Sequence, residues 1–91
     1  MEHVAKKITF SGRVQGVGFR YTAHRIALQH DLTGYVKNLP NGCVEMFAQG
    51  PADDVERYLI DIQRRFEGYI TNVSLEDMPL NQTYDRFIIT F

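Results

Sequence analysis

Residues 6–30, KKITFSGRVQGVGFRYTAHRIALQH, join a strand-like segment to a helix-like segment through a loop that contains three glycines. Ile8 and Phe10 alternate with polar residues, which is the period-two pattern of a strand with one buried face. A stripe at helical spacing follows the loop, and it consists of Phe19, Ala23, Ile26, Ala27 and His30. Gly34 stands shortly after this stripe and is expected to end the helix.

The middle of the chain predicts a strand hairpin and a second helix. Residues 33–39 and 43–50 are strand-like, and Asn41-Gly42 between them is a strong hairpin signal. Pro51 suits the first position of a helix, and Gly68 suits a position just past its end. The expected core stripe of this helix consists of Val55, Leu59, Ile62 and Phe66.

Two further strand-like segments, residues 70–75 and 84–91, are separated by turn residues at Pro79 and Asn81. The order is strand, helix, strand, strand, helix, strand, with one more strand at the end. It predicts an α+β fold of the ferredoxin-like split βαβ type, a sandwich in which two helices cover one face of an antiparallel sheet of four to five strands. Since no linker, repeat or low-complexity tract interrupts residues 1–91, we expect a single domain.

Composition narrows the classes of function. Lysine and arginine number 10 against 11 acidic residues, so the chain lacks the basic footprint typical of nucleic-acid-binding proteins. It contains no apolar run near the roughly 20 residues that a membrane helix needs, and no signal-peptide pattern. Cys43 is the only cysteine, which excludes an intrachain disulfide. A cytoplasmic protein without nucleic-acid or membrane partners is expected.

The glycine-rich loop leads into a helix that is expected to begin near Phe19 or Arg20. The first turn of a helix offers unpaired N–H groups and the positive end of the helix dipole, and glycines let the preceding amides turn inward. The Arg20 guanidinium can hold two oxygens of a phosphate or carboxylate. The P-loop pattern is absent, since no lysine or hydroxyl residue follows in the required place. The dinucleotide pattern is also absent, since Tyr21 stands three residues after Gly18.

Two interpretations of this loop remain open on physical grounds. It is either a site for a small anion, or an ordinary strand-to-helix turn followed by a solvated arginine. Because a positive side chain at a helix N-terminus is unfavourable without an anion, Arg20 favours the site.

Asn38 also has two interpretations. The first strand and the strand at 33–39 are expected to be parallel, so Asn38 and the loop should meet at one edge of the sheet. Asn38 then either begins the hairpin, as asparagine often does, or places a carboxamide that can accept from and donate to a water beside the anion site.

GRVQGVGFR at residues 12–20, together with GYVKN at residues 34–38, resembles the signature of the acylphosphatases. The resemblance extends over nearly the whole chain. It implies hydrolysis of the carboxyl-phosphate bond of a small acyl phosphate to a carboxylate and inorganic phosphate, without metal, cofactor or phosphoenzyme. By the same resemblance, Arg20 binds the phosphoryl group and Asn38 orients the attacking water. The resemblance further implies that the phosphate-binding backbone amides are those of Gln15, Gly16, Val17, Gly18, Phe19 and Arg20.

The same resemblance leaves a second function open, namely a non-catalytic acylphosphatase-like module that binds an anion or carbamoyl phosphate within a larger assembly. The sequence favours a free-standing monomeric enzyme, because both Arg20 and Asn38 are present. His24 and His30 lack the spacing of metal ligands, and Cys43 has no evident base near it. Four aromatic residues of the predicted strands are expected to pack in the sheet and core rather than to stack on RNA, because no RNA-recognition motif is present and the chain is not basic. They are Phe10, Phe47, Phe87 and Phe91.

Overall fold

The computed structural model describes residues 2–91. Its elements, in chain order, are β1 (His3–Gly12), α1 (Phe19–Gln29), β2 (Thr33–Asn38), β3 (Val44–Pro51), α2 (Ala52–Arg65), β4 (Ile70–Met78) and β5 (Phe87–Ile89). The five strands form one sheet in the order β4-β1-β3-β2-β5. The predicted ferredoxin-like α+β fold is confirmed. The sheet is mixed rather than wholly antiparallel, because β5 pairs with β2 in parallel.

The central strand β3 decides which residues meet at each edge of the sheet. β1 and β2 both pair with β3 in the antiparallel sense, so they run parallel to each other. Phe10 of β1 and Asn38 of β2 are both paired with Val44 of β3. The loop after β1 and the end of β2 therefore lie at the same edge, as predicted.

Both helices cover one face of the sheet, and the core lies between the helices and this face. The predicted stripe of α1 is buried at Phe19, Ala23, Ile26 and Ala27. The stripe of α2 is buried as predicted, and Tyr58 is buried with it. The Tyr58 hydroxyl donates a hydrogen bond to the backbone oxygen of Ala23 at 2.8 Å. This hydrogen bond joins the two helices inside the core, where an unpaired hydroxyl would be costly.

Local details differ from the expectations at the ends of elements. Gly34 does not end α1: it lies inside β2 with φ 141°, and a Cβ there would overlap the Phe47 carbonyl. α1 ends instead at a C-cap on His30, followed by Asp31 in the left-handed region. Pro51 is the N-cap of α2 rather than its first residue.

The last strand is shorter than expected. β5 contains Phe87–Ile89 only, and Phe91 is 93% exposed instead of packing in the core. The segment before β5 is held to the sheet as a loop, because Asn81 exchanges hydrogen bonds of 2.7 and 2.8 Å with the side chain of the buried Gln49. Strand β4, in contrast, continues to Met78, beyond the predicted end at residue 75.

Candidate active site

The loop between β1 and α1 is shaped by glycines in the left-handed region. Gly16 and Gly18 both have φ 78°, and an added Cβ at either position would meet no atom within 4 Å. The backbone conformation, and not a lack of space, therefore requires glycine at these positions. Left-handed residues in a tight turn direct neighbouring amides toward one side, which creates a concavity suited to an anion.

The loop ends on the exposed N-terminus of α1. Gly18 is the N-cap, no side chain caps the helix, and its first turn contains no acidic residue. The amide of Thr22 donates to the oxygen of Gly18 at 3.1 Å. The preceding amides of Phe19, Arg20 and Tyr21 have no acceptor within the helix, which is the ordinary state of a first turn. These unpaired amides create a positive electrostatic potential next to the loop.

A cavity of about 190 Å³ lies at this point, and it is lined by Val14, Gly16, Gly18, Phe19, Arg20, Tyr21 and Asn38. Arg20 and Asn38, both predicted from the sequence, thus share one cavity with the loop. Gln15 and Val17, whose amides were also predicted to bind phosphate, are not among the lining residues. No carboxylate, histidine or lysine lines this cavity within residues 2–91.

Arg20 is half-buried and has no acidic partner in the part of the chain that the structure describes. Its guanidinium lies over the ring of Phe91, with 4.9 Å between the guanidinium carbon and the ring centroid. Its charge is thus supported by an aromatic face but not neutralised, and it remains available to an anion. Sequence reasoning missed Phe91 as a neighbour of the site, since no local pattern connects the two residues.

Asn38 is the last residue of β2, and its side chain follows the alternation that places Val36 on the helix-covered face. Its Oδ1 is buried and has no hydrogen-bond donor among residues 2–91. A buried acceptor without a donor costs about 1–3 kcal/mol. Buried polar atoms without a partner are few in native proteins, and a catalytic role is one reason for keeping such an atom.

The side chain of Gln15 binds the hairpin and does not line the cavity. Its Nε2 donates to the backbone oxygens of Leu39 and Cys43, both at 2.8 Å, and so joins the loop to the hairpin that follows Asn38. The Cys43 sulfur lies 3.5 Å from the hydroxyl oxygen of Ser11. The sequence contains no local signal for these contacts, because they bridge segments that are far apart along the chain.

A model of the acylphosphatase family matches residues 6–89, nearly the whole chain. The chain belongs to the acylphosphatase family. An acylphosphatase of Syntrophotalea carbinolica is 34% identical to it, with both proteins covered in full. An acylphosphatase of Staphylococcus aureus strain Newman is 40% identical, over 96% of this chain and 97% of that protein. The crystal structure of acylphosphatase from Bacillus subtilis superposes with a TM-score of 0.89 at 32% identity, and covers 97% of this chain and 99% of that one.

These similarities confirm the activity predicted from the sequence, because family and relatives agree over the full chain. The chain is an acylphosphatase-type hydrolase that acts on small acyl phosphates. The alternative of a binding module within a larger assembly is not favoured, since the relatives that match nearly the whole of this chain are named acylphosphatases. None of the helices in residues 2–91 has the length and apolar character needed to cross a membrane.

Proposed function

We propose that the chain hydrolyses acyl phosphates by means of Arg20 and Asn38, and that residues 1–91 act as one domain. The observation that carries this proposal is that Arg20 and Asn38 line the same small cavity as Gly16 and Gly18. A larger cavity of about 440 Å³ lies around Gln49 at the opposite edge of the sheet. We assign the activity to the smaller one because only it combines a helix N-terminus, a free arginine and a buried carboxamide oxygen.

The phosphoryl group would be bound by the peptide amides of residues 15–20 and by the Arg20 guanidinium. Charge in phosphoryl transfer is spread over three equatorial oxygens, and preorganised donors stabilise it as it develops. A guanidinium contributes two parallel N–H groups, and the first turn of α1 contributes amides without acceptors. Because Arg20 has no ion-pair partner in residues 2–91, it need not leave a carboxylate in order to bind phosphate.

The attacking water would donate a hydrogen bond to Oδ1 of Asn38, the buried acceptor without a donor in residues 2–91. The water oxygen then forms a bond to phosphorus while the bond from phosphorus to the acyl oxygen breaks. The electron pair of that bond stays with the acyl oxygen, and the carboxylate leaves. Asn38 is too weak a base to take the proton, so its contribution is the orientation of the water.

The proton released by the water would pass to the phosphate itself. No carboxylate, histidine or lysine lines the cavity in the described chain, so the protein offers no general base there. A phosphate group has its second pKa at about 6 and can accept this proton near neutral pH. We also propose that the chain acts as a monomer in the cytoplasm, without metal, cofactor or nucleic acid.

The test is phosphate release from a simple acyl phosphate such as benzoyl phosphate, with the substitutions Arg20→Ala and Asn38→Ala. We expect each to lower kcat/KM by about 100-fold or more. Arg20→Ala removes a preorganised donor, and Asn38→Ala removes the acceptor that orients the water. Arg25→Ala is the matched control for charge, since Arg25 is exposed on the same helix. Asn72→Ala is the control for the lost carboxamide, at an exposed position of β4.

Full activity in either site variant, with a folded protein by circular dichroism, would contradict the assignment. Arg20→Lys separates charge from geometry: if the guanidinium binds two oxygens, the lysine variant stays strongly impaired. Activity that chelators abolish would overturn the metal-free mechanism. A dimer in light scattering at assay concentrations would overturn the proposed monomer.

A further inference from the structure

The side chain of Gln15 forms a connection between the phosphate-binding loop and the β2–β3 hairpin. Its Nε2 donates to the oxygens of Leu39 and Cys43, each at 2.8 Å. A primary amide has two N–H donors, and both are used here on backbone oxygens of the hairpin. The main chain of Gln15 belongs to the loop, so the hydrogen bonds link two separate elements of the site.

These hydrogen bonds reach the hairpin directly next to Asn38, on the side of the turn. Leu39 is the residue after Asn38, and Cys43 is the residue before Val44, with which Asn38 is paired in the sheet. Because Oδ1 of Asn38 has no donor among residues 2–91, the position of the carboxamide depends strongly on the backbone that carries it. Gln15 fixes the hairpin immediately after Asn38 relative to the loop.

We propose that Gln15 is a positioning residue for hydrolysis: its carboxamide holds the Asn38 backbone in register with the phosphate-binding loop. This inference rests on the proposed role of Asn38 as the residue that orients the water. A displacement of about 1 Å in a reacting group can cost about 100-fold in rate, so a loose hairpin is expected to affect turnover.

The hairpin closes without Gln15. Leu39 N donates to Cys43 O at 2.8 Å, Gly42 N donates to Leu39 O at 3.2 Å, and the Asn41 side chain accepts from Cys43 N at 3.0 Å. The turn therefore closes through its own hydrogen bonds and does not need the two from Gln15. Those two hydrogen bonds instead hold the hairpin in position relative to the loop.

The first experiment is Gln15→Met, which removes both donors but keeps the length and neutrality of the side chain. We expect kcat to fall about 10-fold or more, since the water is no longer aligned. The inhibition constant of inorganic phosphate should change by less than about 3-fold, because Arg20 and the amides remain. Gln82→Met is the matched control, at an exposed residue near the opposite edge of the sheet, and should leave both quantities unchanged.

The second experiment places Gln15→Met in the Asn38→Ala background. If Gln15 acts through Asn38, the double variant has the same kcat as Asn38→Ala alone, because coupled residues are not additive. If the kcat losses of the two substitutions multiply, or if phosphate inhibits Gln15→Met more weakly than the wild type, Gln15 acts through the phosphate-binding loop. Either result would overturn the inference. An unchanged kcat in Gln15→Met would also overturn it.

The proposed function and this inference fail in different ways. If Asn38→Ala loses activity while Gln15→Met keeps normal activity, only the proposed role of Gln15 is contradicted. If Asn38→Ala keeps normal activity, the proposed role of Asn38 in orienting the water is contradicted. A melting temperature measured for each variant shows whether a loss of kcat at the assay temperature comes from unfolding.

Discussion

The guanidinium carbon of Arg20 lies 4.9 Å from the centroid of the Phe91 ring, at the edge of the candidate active site. The ring is 93% exposed, so it contributes little to the core. A cation over an aromatic face at an exposed position gains about 0.5–1 kcal/mol. The contact therefore restrains the side chain of Arg20 while its in-plane N–H groups stay free for an anion.

Replacing Phe91 by alanine should weaken phosphate binding without unfolding the protein. We expect the inhibition constant of inorganic phosphate to rise about 2- to 5-fold, which corresponds to the free energy of an exposed cation–π contact. The melting temperature should stay unchanged because the ring is exposed. Phe91→Trp should keep or improve binding. In an Arg20→Ala background the substitution should have no effect, and an effect there would show that Phe91 acts by another route.

Gly18→Ala should damage the phosphate-binding loop through its backbone conformation. The residue has φ 78° and ψ 18° with open space around it, so the penalty is the left-handed conformation, about 1–2 kcal/mol. We expect that loss of stability in urea unfolding, together with weaker inhibition by phosphate. Gly68→Ala is matched, since Gly68 has φ 90° and open space but lies after α2. Equal losses of phosphate binding in both variants would contradict the loop assignment.

Tyr58→Phe should change how stability depends on pH. Burial raises the pKa of Tyr58 far above its usual value near 10. The folded state thus keeps the proton that the unfolded state loses, and stability declines by up to about 1.4 kcal/mol per pH unit above pH 10. Without this hydroxyl the decline should be shallower. Some decline should remain, because burial and the hydrogen bond to Glu45 also raise the pKa of Tyr35.

At pH 7 the same variant should be less stable by about 1 kcal/mol, since the hydrogen bond from Tyr58 to the oxygen of Ala23 is lost. Urea midpoints measured from pH 7 to 11 give both effects in one series. Tyr21→Phe is the control, because Tyr21 is 74% exposed. A wild-type slope above pH 10 in Tyr58→Phe would show that Tyr58 is not a source of the alkaline instability.

The expectation for the C-terminal strand shows where periodicity misleads. Phe87, Ile89 and Phe91 alternate along the sequence, and this pattern predicted a strand through residue 91. A strand also requires a partner: β5 pairs with Gly34, Tyr35 and Val36, and Thr90 N still donates to Val36 O. Beyond that point Phe91 contacts Arg20 instead. Alternation records a preference for burial, but it does not fix how far a strand stays paired with its neighbour.

Local sequence alone determined the glycine loop, the helix that follows it and the apolar stripes, because backbone preference and periodicity act over a few residues. The motif in residues 12–20, together with residues 34–38, was also sufficient to recognise the family resemblance. The sequence predicted that Asn38 and the loop meet at one edge of the sheet, but only the tertiary structure decided that Arg20 and Asn38 line one cavity. The tertiary structure likewise decided that Gln15 binds the hairpin. Such contacts join segments distant along the chain, and their geometry depends on how the strands and helices pack.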